Sequence, residues 1–194
     1  SADYCILTLP FSVLRDVEFD PPLQGTQAEA VQKIPYTAIT KYYLAPKSQF
    51  WDEDGLPPTM WTDSIIERVF PNRDANDTIR SFTVWVDGSN AARLVALPMA
   101  EQQQRVLDEF TRLRPAAAGQ VELVGSISWG KDPYARGAYA HYAPGQISRL
   151  CPTLAAPWQR IHFAGEHTAR VSPGLESAVE SAERAVDEIL ARSG

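Results

Sequence analysis

Between residues 175 and 190 apolar side chains recur at Leu175, Ala178, Val179, Ala182, Ala185, Val186, Ile189 and Leu190. Steps of three and four trace one face of a helix, with Glu176, Glu180, Glu183, Arg184 and Asp187 on the other. The alanines on the stripe predict close packing of that face against a sheet or another backbone. Short β-branched and aromatic runs predict strands over 3–9, 38–44, 120–128 and 161–164, and strand-like pieces within 59–70 and 78–86. The first of these, 3–9, reads as a buried strand. Helices are predicted over 24–33, 89–97 and 100–113, stopped by Pro35, Pro98 and Pro115. The stretch 46–58, which carries Phe50-Trp51, reads as loop, and 129–160, rich in Gly, Pro and Tyr, as mostly ordered loop. Interleaved strands and helices of this kind predict a mixed α/β (α+β) fold.

Composition narrows the functions such a fold can carry. The 194 residues suffice for one large domain or two small ones, and 44% hydrophobic with 22% charged residues is ordinary for a globular chain. A net charge of -6 with scattered basic residues argues against a nucleic-acid surface. No apolar run approaches the roughly 20 residues of a membrane span. Cys5 and Cys151 have no framework or zinc spacing and are predicted to be buried thiols, consistent with a cytoplasmic protein. His141, His162 and His167 lie at no metal-ligand spacing, so no metal site is predicted. Ser172 and Ser177 stand outside any nucleophile elbow. Trp61 and Trp85 sit in strand-like runs and are predicted to be core.

One segment suggests chemistry. Phe163-Ala164-Gly165-Glu166-His167-Thr168 leads from a strand through a polar turn towards the last helix, which opens at Gly174. A glycine at a strand end permits close approach, and a helix N-terminus favours negative charge. An ordinary strand–loop–helix connection would look the same.

The run IHFAGEHTARVSPGLESAVESAERAVDEIL resembles the C-terminal flavin-binding signature of the flavin amine oxidases, which include monoamine, polyamine and L-amino-acid oxidases. Three further segments resemble that family in the same order. These are Ala2–Ile6 with Thr8-Leu9-Pro10 and Val13-Leu14; Lys41, with Phe50-Trp51 nine and ten residues on; and Trp129 through Asp132-Pro133-Tyr134, Gly137-Ala138-Tyr139 and Pro144-Gly145. The resemblance implies that Gly165 and Glu166 touch the pyrophosphate and ribityl region of FAD. Leu175, with Gly174 at the helix start, would face the flavin N1–C2=O edge. The loop holding Trp129 and Ala138 would flank the flavin ring, and Tyr139 would wall the substrate cage. Lys41, on residues alone a solvent-facing lysine of an alternating strand, would hold a water against flavin N5.

Two departures stand out. Ala138 replaces the cysteine that tethers flavin in some family members, which implies non-covalent FAD. Gly174, with Pro173 before it, replaces the second cage aromatic. No G-x-G-x-x-G follows any strand, so the usual pyrophosphate fingerprint is absent. The expected organisation is therefore an FAD-domain strand segment over 1–22, a substrate-binding segment over 23–128 and an FAD-domain closing segment over 129–194. These would be completed by an N-terminal half of the same enzyme. The implied function is oxidation of an amine or L-amino acid to an imine with release of hydrogen peroxide. A dehydrogenase or monooxygenase of the same fold, or a non-catalytic interaction domain, are the alternatives, and homo-oligomerisation stays open.

Overall fold

The structure, a computed structural model, describes residues 1–169 and 174–193. In chain order its elements are β1 (Cys5–Leu7), α1 (Phe11–Leu14), α2 (Gly25–Lys33), β2 (Ile39–Pro46), α3 (Phe50–Asp54), β3 (Met60–Trp61), β4 (Arg68–Arg73) and β5 (Ile79–Asp87). There follow α4 (Gly88–Val95), α5 (Met99–Leu113), β6 (Val121–Ser128), α6 (Gln146–Leu154), β7 (Ile161–Phe163) and α7 (Leu175–Ser193). They form two compact units, one from residues 1–37 with 131–194 and one from 38–130. Helix α2 thus belongs with the termini, whereas 23–128 was expected as one segment. The mixed class is as expected. No described helix is long and apolar enough to cross a membrane.

The continuous unit is a five-stranded sheet ordered β3-β4-β5-β2-β6, antiparallel at every pairing. Alternation along the strands sends Tyr42 and Leu44 of β2 and Phe82, Val84 and Val86 of β5 into the core with Val106 and Phe110 of α5. Phe50, expected in loop, opens α3 and packs edge-on to Phe110 at 6.0 Å. That segment is ordered by Arg114, 2% exposed, which forks onto both carboxylate oxygens of Asp54 (2.6 and 3.0 Å) and donates to the Pro57 carbonyl. Tyr42, its hydroxyl pushed up to about 12 by burial, donates to Gln102 Oε1 at 2.9 Å.

In the discontinuous unit β1 pairs in parallel with β7, Cys5 opposite Ile161 and Leu7 opposite Phe163. The core joins Phe11 and Leu14 to Ala30, Val31 and Ile34 around α2, and to Leu150, Leu154 and Phe163. Four expectations fail here. Helix α6 occupies part of the predicted loop. Pro144-Gly145 before it and Pro152 inside it read as breakers, yet Leu150 and Leu154, one turn apart, bury fully, and Gln146 Oε1 accepts the Ala143 N–H. Cys5 is exposed and Cys151 half-buried, and β1 is not a buried strand, because among the described residues it pairs only with β7. On α7 the buried positions are Ser177, Ser181 and Ala185, while the apolar stripe of Leu175, Val179, Val186 and Leu190 faces outward. Small side chains at four-residue spacing let this helix lie close to β7, and the larger ones find no cover among the described residues of this unit.

Candidate functional site

Strand β7 delivers the chain into Gly165, whose φ of 125° suits glycine. Its N–H donates to Ser181 Oγ at 2.8 Å, and Ser181 donates to the Ala178 carbonyl at 2.7 Å. A 3-10 turn over Glu166–Thr168 follows, closed by Thr168 N–H and Oγ1 on the Gly165 carbonyl, each at 2.9 Å. The guanidinium of Arg184, on α7, holds this corner. It donates to the Phe163 carbonyl (2.7 Å), Thr168 Oγ1 (3.2 Å), the Ala155 carbonyl (3.2 Å) and Glu188 Oε1 (2.8 Å). Glu188 Oε2 in turn meets His162 Nδ1 at 2.8 Å. Burial raises the Glu188 carboxyl, but the bonds from His162 and Arg184 outweigh it and leave the group below its ordinary value.

The glycine's missing side chain has an internal use. A Cβ on Gly165 would sit 2.5 Å from the His167 ring, which packs edge-on against Phe11 at 4.4 Å. Burial lowers the His167 imidazole to about 4. Glu166 Oε1 accepts the Ala140 N–H at 3.0 Å, whereas Glu166 Oε2 is buried with no hydrogen-bond partner among the described residues. Burial raises this carboxyl, and the Ala140 bond only partly offsets it.

That bond joins the turn to the loop holding Ala138 and Tyr139. The loop is pinned by Ala138 N–H to the Thr37 carbonyl (2.9 Å) and Thr37 N–H to the Tyr139 carbonyl (2.9 Å). Gly137 is needed there, since a Cβ would lie 2.4 Å from Tyr36 Cβ. Ala138 is half-buried and Tyr139 exposed. Gly174, at φ 152°, has open space where a Cβ would go, and Leu175 is 83% exposed at the start of α7. Pro173 and Ser172 lie outside the described residues.

Lys41 and Trp129 belong to the other unit. Trp129 N–H donates to the Ile39 carbonyl at 3.0 Å, extending the β2–β6 ladder. Lys41 Nζ lies 4.0 Å from the centre of the Trp85 ring. Trp85 and Trp61 are not core as expected. Trp61 is 70% exposed, and Trp85 is half-buried on the sheet face opposite Val84 and Val86. The signal was present in Phe82-Thr83-Val84-Trp85-Val86: three apolar residues at alternate positions commit that face to the core and turn Trp85 away from it.

The amino-acid sequence has relatives that account for this arrangement. The family model described as flavin containing amine oxidoreductase matches residues 1–190. The L-amino-acid oxidase of Notechis scutatus scutatus is 29% identical over 187 residues, 93% of this chain and 36% of that protein. That of Bothrops atrox is 26% identical over 97% of this chain and 38% of its own length. Among solved structures, a putrescine oxidase variant with redesigned cofactor binding superposes with a TM-score of 0.85 at 26% identity, over 98% of this chain and 43% of that one. Cyclohexylamine oxidase from Brevibacterium oxydans shares the fold, with a TM-score of 0.80 at 19% identity over 96% and 43% of the two chains. The chain thus spans well under half the length of these relatives. With the family pattern running across nearly all of its residues, the chain belongs to the flavin containing amine oxidoreductases.

Proposed function

We propose that this chain is the C-terminal part of an FAD-dependent oxidase that converts the C–N bond of an amine or L-amino acid to an imine, with release of hydrogen peroxide. What carries the reading is the reach of the similarity, since L-amino-acid oxidases and an amine oxidase each align with 93% or more of the chain. Residues 1–37 and 131–194 are then its share of an FAD domain, and 38–130 its share of a substrate domain. An N-terminal half of the same enzyme supplies the rest. The outward apolar stripe of α7 suits burial by such a partner. A cytoplasmic location goes with this reading, because Cys5 and Cys151 are free thiols.

FAD fits the residues present. The buried, unpartnered Glu166 Oε2 matches a ribityl hydroxyl, which a raised carboxyl can meet as acceptor or, protonated, as donor. Gly165 and Glu166 would hold the ribityl and pyrophosphate region. Gly174 and Leu175 would present the first turn of α7 to the N1–C2=O edge, where unbonded helix N–H groups favour negative charge. Trp129 and Ala138 would flank the ring. The Ala138 methyl offers no nucleophile for a tether, so the cofactor is non-covalent. When bound, FAD supplies a hydride acceptor for the amine-bearing carbon and a route for the electrons to oxygen. Tyr139 would bound the substrate, and the Lys41 ammonium would orient a water by a charge-assisted hydrogen bond.

The complete enzyme tests this directly. Acid precipitation is expected to leave the yellow colour in the supernatant, and a panel of amines and L-amino acids to give peroxide in step with oxygen uptake. Turnover only with an artificial electron acceptor would make it a dehydrogenase. Colour in the pellet would overturn the reading of Ala138.

A further inference from the structure

Four strands of the sheet place Lys41, Trp85, Arg68 and Trp61 in one cross-strand row. Lys41 stands opposite Trp85, Trp85 opposite Arg68, and Arg68 opposite Trp61. Two cations bear on the central indole, Lys41 Nζ at 4.0 Å and Arg68 Cζ at 5.5 Å from the ring centre. The two differ in one respect. Arg68 forms an ion pair with Asp87, while among the described residues no carboxylate pairs with Lys41. Its ammonium is held by the face of an aromatic ring, which attracts a cation without neutralising it or occupying its N–H donors.

The ring is itself held. Trp85 Nε1–H donates to Asp87 Oδ1 at 2.6 Å, a charge-assisted bond that fixes the ring plane. Asp87 is fixed in turn, because its N–H donates to Glu67 Oε2 at 2.9 Å and Glu67 Oε1 accepts from Asn90 Nδ2 at 2.7 Å. Glu67 adopts a left-handed backbone, φ 45°, a costly conformation for a residue with a side chain that persists where surrounding contacts over-determine it. An ordinary cross-strand Lys–Trp pair needs none of this support.

We propose that Trp85, clamped by Asp87, is a positioning residue that sets where the Lys41 ammonium points and keeps its donors free for the water it orients. The inference rests on the assignment of Lys41 to the flavin made above. Trp85 acts only through Lys41, so its removal has consequences only while the lysine is there.

A double-mutant cycle in the complete flavoenzyme tests it, read by anaerobic flavin reduction and by reoxidation. Trp85→Leu is expected to slow the half-reaction that Lys41→Met slows, by roughly three- to tenfold, with substrate affinity unchanged. Trp85→Phe, which keeps a ring but loses the clamp, falls between. The Lys41→Met/Trp85→Leu double variant is no slower than Lys41→Met alone. Independent of turnover, the Trp85 resonance in fluorotryptophan-labelled protein, identified by its loss in Trp85→Phe, shifts in Lys41→Met. Additive slowing, no slowing by Trp85→Leu, or an unmoved resonance overturns the inference. Should Trp85→Leu fail to fold, Trp85→Phe in both Lys41 backgrounds decides by the same criterion. If the resonance shifts yet Lys41→Met leaves both half-reactions at the parent rate, the contact is real and the flavin assignment of Lys41 is what fails.

Discussion

A buried imidazole next to a half-buried carboxyl gives the Gly165–Thr168 corner its own pH response. His167 is 6% exposed, and burial lowers it to about 4 from an ordinary value of 6.5. As pH falls from 6.5 towards 4 the unfolded chain takes up a proton that the folded chain refuses, so stability falls across that window and is retained above it. The loss amounts to about 3 kcal/mol by pH 4. In denaturant titrations His167→Leu should be less stable than the parent at pH 7 but show a flatter decline below 6.5; parallel declines would assign the acid sensitivity elsewhere. Little of this was legible beforehand. The sequence excluded a metal role for His167 on spacing, but gave no sign that Gly165 is a glycine to admit this ring. Such pairings depend on side chains meeting across a turn, which neither periodicity nor motif encodes. Trp85 is the opposite case, because alternation alone turns it off the core face.

At the scale of elements, helix α7 was legible as a helix and misjudged as to its buried face. A period of 3.6 identifies an apolar stripe without saying what covers it, and the helix rests on Ser177, Ser181 and Ala185. Val179, 53% exposed, lies in the outward stripe. Val179→Glu should therefore change the stability of this chain by no more than about 0.5 kcal/mol. In co-expression with the N-terminal half it should reduce the flavin that co-elutes on gel filtration, whereas this chain by itself elutes colourless. Undiminished flavin in the variant would mean the stripe is a solvent face. Helix α6 shows the reverse error: prolines spoke for loop, and burial of Leu150 and Leu154 prevailed, since packing rather than propensity stabilises most protein helices.

For the whole molecule, most of the strand and helix order was readable, with helices α3 and α6 among the exceptions, and the division of the chain less so. The boundaries fall after residues 37 and 130, against expectations of 22 and 128. What moves the first is the packing of α2 with α6, elements separated by the whole inserted unit, where composition shows no break. The same separation has a consequence for biosynthesis. Among the described residues strand β1 pairs only with β7, on the far side of the inserted unit, so β1 is made well before the strand that satisfies it. At roughly 5–20 residues per second, the unit ending at residue 130 is complete seconds before β7 is made, while β1 waits for that strand. A truncation ending at residue 145 should show residues 38–130 protected from protease and residues 1–10 cut. Protection of both would mean β1 settles without β7. Synthesis thus depends on β1 being shielded until β7 arrives, and a chaperone that binds short apolar segments suits that interval.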